Sequence, residues 1–494
     1  MKKLALTLLF SLAVLITVLV VRTAQFTKTI PPNTIAKVNI AIDEENATRR
    51  FAQSLTFATI SNQNPQLANI SALNELRSYL NENFPRVFNQ LSVETVSDYS
   101  YLIEWRGTNE KLKPILLLSH MDVVPVIPGT ESEWQHPPFA GIISDGYVWG
   151  RGAVDDKAGV LGILEAAETL LSQSFTPERT IYFAFGHDEE VGGLQGAVKI
   201  AELLEQREIA FEFVMDEGGI IVDGIVPGIN APVALIGPGE KGYISLKLTA
   251  TGTGGHSSQP PAYTAAGLIA RAVYRLQENP FPMDLSYTSA FIQNLGRDIP
   301  FAQRMVFANT WLFEPIADKI LPPIPALIAG TRTTTAPTML KASVKDNVLP
   351  INAEAVINFR ILPGETSHSV IAHVVKTIDD DQIKVEPYGF SSEPSTIAST
   401  DSYGYQQIKK TIHQVIDDKN IIIAPKLVIG ATDARHFKNL TENSYRFMGV
   451  TLQGDEIKGF HGTNERVSVK SYLDAVKVYY QLIKNTTAAE SASH

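Results

Sequence analysis

Residues 180–193 read TIYFAFGHDEEVGG. Its first half is a short run of aromatic and β-branched residues without polar alternation, the pattern of a strand buried on both faces. The run then stops at His187, Asp188, Glu189 and Glu190, followed by two glycines. Like charges repel, and removing them from water costs several kcal/mol unless something positive lies nearby. A solvated turn accounts for an isolated acidic strand end equally well. The surrounding chain has to decide between the two.

On either side the same alternation recurs. PILLLSHMD (114–122) reads as a buried strand, GVLGILEAAETLLSQ (159–173) as a helix, and LQGAVKIAELLEQ (194–206) and FEFVMDEGG (211–219) as the next helix and strand. Strand, helix, strand, helix, strand predicts an α/β domain with a mostly parallel central sheet covered by helices on both faces. Open sheets of this kind bind ligands beyond the carboxyl ends of their strands. His120, Glu189, Glu190 and Asp216 all fall at such ends.

At Tyr243 the pattern changes. YISLKLTATG and AEAVINFRIL alternate as half-exposed strands do, with helical stretches after Thr264 and at SHSVIAHVVKTI. These predict a smaller α+β domain of antiparallel strands and two helices inserted into the first, whose pattern resumes with YGYQQIKKTIHQVI and closes with SYLDAVKVYYQLIK. The expected division is 1–22 signal anchor or signal peptide, 23–39 linker, 40–241 and 396–486 catalytic domain, 242–395 inserted lid or dimerisation domain, and 487–494 tail. Between Asn279 and Gly330 lies an apolar, proline-rich stretch including WLFEPIADKILPPIPALIAG. It is expected to pack as extra helices within the lid, with a hydrophobic substrate or a membrane contact as the alternative.

The chain has 494 residues, 42 basic and 52 acidic side chains, a net charge of −10 and no cysteine. Without a basic run there is no footprint for nucleic acid. Without cysteine there are no disulfides, no thiolate metal ligands and no cysteine nucleophile. Lys2 and Lys3 precede an uninterrupted apolar stretch from Leu4 to Val21, then Arg22. This layout is that of a signal segment. Val21-Arg22-Thr23 is a poor cleavage point, so an uncleaved anchor is expected, with the body outside the cytoplasm. Cleavage would instead give a secreted protein.

His120 and Asp122 are two apart at a strand end and share a face. One ring nitrogen can then bond the carboxylate while the other meets a metal. WGRGAVDDKAG supplies Asp155 and Asp156 before a helix, VMDEGG supplies Asp216, and GFHGTNERV supplies His461. Together with Glu189 and Glu190 these form a charge cluster that two divalent cations resolve. Mixed histidine and carboxylate donors without sulfur suit zinc, with manganese or cobalt as alternatives. Five side chains can hold two ions if one carboxylate bridges, and one of the paired glutamates is then free as general base.

With these motifs in hand, the chain resembles the dinuclear zinc aminoacylases and carboxypeptidases. HMDVVP, GRGAVDDKAG, GHDEEVGG, DEGG, GGHSSQPP, NVLP with FRILPGE, GATDARHF and FHGTNE stand in the family's order. RTTTAPT and WLFEP look most similar to the branch of N-fatty-acyl-amino-acid synthase/hydrolase and carboxypeptidase S. The resemblance implies a zinc-exopeptidase fold with two Zn2+ ions. His120, Asp155 and Asp216 would hold one ion, and Asp155, Glu190 and His461 the other. It further implies Glu189 as general base, Asp122 as the acid orienting His120, and a cis peptide after Asp155.

The lid resembles the family's as well. His256 matches a histidine that reaches the scissile carbonyl oxygen, sometimes across a dimer, which makes a homodimer through the lid the implied assembly. Asn347, Arg360 and Arg435 match residues that hold the substrate, Arg435 as a carboxylate clamp. The implied activity is cleavage of the amide bond of an N-acyl, including N-fatty-acyl, amino acid. Condensation is the reverse of the same reaction, and release of C-terminal residues from short peptides is the alternative.

Overall fold

The computed structural model describes residues 2–27, 34–296, 299–321 and 324–487. Its centre is a six-stranded sheet in the order Ser92–Val96, Ser100–Trp105, Ile181–Gly186, Ile115–His120, Phe213–Asp216, Ser444–Arg446. The last four strands run parallel, and the 92–105 hairpin adds an antiparallel edge. Every residue of the two central strands is buried. Period-2 geometry divides them between two cores. Ile115, Leu117, Phe183 and Phe185 join the helices Lys157–Ser172 and Val469–Thr487 on one face. Leu116, Leu118, Tyr182 and Ala184 meet Ile200 and Leu204 of the helix Ala197–Gln206 on the other. Those two layers of helices give the zinc-exopeptidase fold. Glycine lets the long helices close up, since a Cβ at Gly162 would stand 3.0 Å from the ring of Tyr479.

A second sheet, Ile422–Pro425, Val233–Ile236, Ile221–Asp223, Thr451–Gln453, lies beyond the first and is joined to it by a bridge between Gly237 and Arg446. Its strands of three or four residues are too short to carry a readable period.

The lid sheet is antiparallel, in the order Thr334–Lys341, Asn352–Ile361, Gly242–Thr251, Ile383–Ser392. Leu246, Leu248, Ile357 and Phe359 pack against Leu268 and Ala272 of the helix Ala265–Glu278 and Val370 and Val374 of the helix Ser367–Ile378. Thr264 caps the first of these helices and a Thr366/Ser369 capping box starts the second. The chain crosses between the two parts at Pro238–Lys241 and again at Pro394–Ala398. There Glu240 N–H donates to Ser395 Oγ (2.8 Å) and Ala398 N–H to Pro238 O (2.8 Å).

Two expectations need correction. Apart from Phe281, which joins the core of the smaller domain, the apolar stretch from Asn279 to Gly330 packs elsewhere. Met283, Leu285, Ile292, Leu295, Phe307 and Ala317 are buried in the large core, and the helix Ser286–Asn294 lies against the strand Ile422–Pro425. The reason is physical: two helices already cover the apolar face of the lid sheet. The N-terminal helix runs Lys2–Phe26, past Arg22, so its last turn takes in the first residues of the expected linker, with Thr23 buried there. Residues 28–33 of the expected linker and 488–494 of the expected tail lie outside the described residues.

Candidate active site

The crowded strand end resolves into four separate tasks. His187 shares a 2.6 Å hydrogen bond with Ser100 Oγ and meets the ring of Tyr99 edge-on. Asp188 accepts the N–H of Gln195 and of Gly196, both at 2.8 Å, just ahead of the helix Ala197–Gln206. Glu189 points at Arg435, with Oε1 3.4 Å from Nη1. Glu190 points at His461, with Oε2 3.3 Å from Nε2. Gly193 follows at φ +70°, where a Cβ would stand 2.3 Å from Asp433 Oδ1, so a side chain is excluded by both backbone and space.

Asp155 is the centre of the cluster. Its Oδ1 lies 2.9 Å from His120 Nε2 and its Oδ2 lies 3.0 Å from His461 Nε2. Its peptide bond to Asp156 is cis, as the resemblance implies. On its far side, His120 Nδ1 is 3.0 Å from the backbone oxygen of Asp122 and 3.3 Å from its Oδ1. Asp122 also accepts the N–H of Glu189 (3.1 Å) and of Glu190 (3.2 Å). One buried carboxylate thus orients the histidine and ties down both glutamates. Asp216 sits at the end of the neighbouring strand, where its oxygens accept the N–H of Glu217 (2.9 Å) and Ala434 (2.6 Å). Among the described residues, a chain of contacts runs from His120 through Asp155 and His461 to Glu190, while the bonds of Asp216 go to the N–H of Glu217 and Ala434.

Electrostatics mark the same group. Burial and then the neighbouring Asp155 push Glu190 up to about 7. Burial and then Asp433 raise Glu189 well above the carboxylate range. Hydrogen bonds to Asp155 and Glu190 lift His461 to about 10. Burial opposes charge on His120, but its bonds to Asp122 and Asp155 together hold it well above the ordinary histidine value. Glu190 Oε1 is also buried without a partner. Ligand atoms of His120, Asp155 and Glu190 lie within 4.8 Å of one another. A nitrogen and oxygen donor set, crowded acids and an orphaned carboxylate oxygen fit a divalent cation, whose charge removes the strain between them.

The supports were not singled out from sequence. Glu465 is fully buried and accepts Arg151 Nη1 (2.5 Å) and the N–H of Gly152 (3.0 Å), Val154 (2.8 Å) and Asp155 (3.2 Å). It therefore holds the turn that carries Asp155. Both residues lie inside the quoted GRGAVDD and FHGTNE stretches, but a pairing across 314 positions has no local signal. Asp433, buried beside Gly186 and Gly193, was likewise missed.

The lid residues are placed differently. Arg435 is buried on the catalytic side, bonded to Thr432 O (2.8 Å) and 5.6 Å from the ring of Phe390, a lid residue. Arg360 lies on the lid over Tyr243, 4.8 Å from its ring centre. His256 and Asn347 are exposed and adjacent: His256 Nδ1 bonds Ser258 Oγ (2.8 Å), and Ser257 N–H donates to Asn347 O (3.2 Å). Neither touches the His120 cluster.

Residues 116–485 match the model of peptidase family M20/M25/M40. The chain belongs to this family. It is 41% identical over 484 residues to a probable carboxypeptidase S-like protein of Dictyostelium discoideum, covering 95% of this chain and 91% of that one. Against an N-fatty-acyl-amino acid synthase/hydrolase of Xenopus tropicalis it is 40% identical over 423 residues, 85% of this chain and 81% of that one. Its fold superposes on an M20 family metallo-carboxypeptidase from Sulfolobus solfataricus with a TM-score of 0.65 at 18% identity, covering 90% and 99% of the two chains. The M20 chain is thus a hydrolytic enzyme of the metallopeptidase and amidohydrolase type.

Proposed function

We propose that this M20 enzyme hydrolyses the amide bond of N-acyl amino acids bearing a free carboxylate. The observation that carries the reading is the 3.4 Å approach of Glu189 to Arg435 at the edge of the His120, Asp155, Glu190 and His461 cluster. A guanidinium beside the base suits a substrate carboxylate next to the bond being cut. His120, Asp155 and Asp216 would hold one zinc, and Asp155, Glu190 and His461 a second. Bound there, the two cations would acidify a water and polarise the acyl oxygen. Glu189 accepts the proton of the attacking water and delivers it to the leaving amine, so water and amide become acid and amine. Asp122 keeps His120 in register and Glu465 keeps Asp155 in place, while Arg360 would meet the substrate from the lid, as would Asn347 once it is brought over the cluster together with His256.

His256 would donate to the acyl oxygen. Because it is exposed and bonded to Ser258, that role needs the lid, or the lid of a second copy, to bring it over the cluster. Exposed Met339 and Leu340 on the edge strand Thr334–Lys341, beside exposed Tyr274, suit a homodimer through the lid. The apolar helix Lys2–Phe26 supports a membrane anchor with the catalytic body on the extracytoplasmic side.

A second reading is a carboxypeptidase acting on short peptides, favoured by the 41% identity to the carboxypeptidase S-like relative. Purified protein, stripped with a chelator and titrated with zinc, should regain hydrolysis of N-oleoyl-phenylalanine as the metal content approaches two per chain. Activity on peptides alone would select the second reading, and activity indifferent to metal would exclude both.

A further inference from the structure

The helix Lys2–Phe26 does not leave the body freely. Arg22 Nε donates to Ala308 O (3.3 Å), and Asn309 Nδ2 donates to Leu19 O (3.3 Å) and Thr23 Oγ1 (3.3 Å). Thr23 and Asn309 are both fully buried at this junction. The helix is thereby fixed to the turn between Phe301–Ala308 and Thr310–Phe313. Around that turn the surface is apolar: Phe301, Trp311, Ile316, Ile320 and Ile324 are each more than two-fifths exposed, Trp311 by 54%. The acids of the same segment are occupied, Glu314 by Leu285 N–H and Asp318 by Arg332.

Length sets the depth. A helix of 25 residues spans about 38 Å at 1.5 Å per residue. The hydrocarbon of a bilayer is about 30 Å thick, so an inserted helix brings its last turns to the headgroup level. Those turns are the ones bonded to Ala308 and Asn309. The exposed Trp and Ile side chains beside them therefore stand where amphipathic and apolar side chains partition into an interface.

We propose that the face carrying Phe301, Trp311, Ile316, Ile320 and Ile324 is a lipid-docking surface lying in the headgroup region of the bilayer that Lys2–Phe26 enters. The proposal rests on the reading of that helix as a membrane anchor. The chain runs from this face into the strand that pairs with Arg360. Lys241 Nζ donates to Ala329 O (2.9 Å) and Arg332 O (2.7 Å), and the next strand pairs Thr334 with Arg360. An acyl chain dissolved in the bilayer is thus presented beside the segment that leads to a substrate residue.

Because the chain has no cysteine, single labels report on single positions. Full-length Trp311→Cys, Ile320→Cys, Leu12→Cys and Val344→Cys proteins, each carrying an environment-sensitive fluorophore, would be reconstituted into phosphatidylcholine vesicles containing doxyl lipid. Labels at 311 and 320 should lose fluorescence to the doxyl lipid as the label at 12 does. The label at 344, on a residue 96% exposed, should not. Quenching at 12 alone overturns the docking surface and leaves the anchor standing, whereas quenching at 311 and 320 without 12 overturns the proposal by removing the anchor on which it rests. Labels at 311 and 320 that are shielded but unquenched mean cover by a second protein copy, and no quenching anywhere overturns both readings.

Discussion

His461 Nε2 lies 3.0 Å from Asp155 Oδ2, although the two residues are 306 positions apart. His120 takes the other oxygen of the same carboxylate at 2.9 Å. One aspartate thus joins residues from the two ends of the chain, and its own placement depends on Glu465, four residues beyond His461.

Glu465→Ala should therefore be costly in two ways. It leaves Arg151 buried without its carboxylate and releases the turn carrying Asp155. Breaking one side of a buried pair costs about 3–5 kcal/mol. Denaturant unfolding should register that loss, and metal analysis should find binding weakened even though Glu465 touches no ion.

The two glutamates should separate by experiment. Glu189→Gln removes the proton carrier and leaves the His120, Asp155, Glu190 and His461 cluster intact. Metal content should stay at the wild-type level while turnover falls by roughly two to four orders of magnitude. Glu190→Gln should lose metal instead. The opposite pattern would exchange their roles.

Lys241 gives a pH signature. Burial, with the charge of Arg360 adding to it, pushes its amine down to about 7 from an ordinary 10.5. A base whose pKa is lowered in the folded state destabilises that state when charged. The cost is full below about 7, shrinks as pH rises and vanishes above about 10.5. Wild-type Tm should accordingly rise across this window relative to Lys241→Met, whatever the absolute cost of unpairing the carbonyls of Ala329 and Arg332. Parallel curves would mean that the Lys241 amine keeps its ordinary pKa in the folded state.

The layers, and the strand ends and turns that bring His120, Asp155, Glu190 and His461 together, were legible because they depend on local patterns. Apolar runs such as ILLLSH and IYFAFG state that a strand is buried, and acids placed after them state that the strand end has a use. What could not be read depends on distant pairing. Glu465 with Arg151 and Asp122 with the N–H groups of Glu189 and Glu190 are tertiary hydrogen bonds with no periodic trace. The apolar stretch from Asn279 to Gly330 was misplaced for a similar reason. Its composition shows that it must be covered, but Leu285 and Ile292 find their cover on the far side of the domain boundary.

The central claim is that the acyl group, rather than a peptide, is what the site accepts, and kcat/KM across a series of N-acyl phenylalanines from acetyl to oleoyl tests it most directly, with glycyl-phenylalanine alongside. Each methylene taken from water contributes about 0.8 kcal/mol, so kcat/KM should climb with chain length and should leave the dipeptide far behind. A flat or falling series with the dipeptide best would contradict the account and make this enzyme a carboxypeptidase.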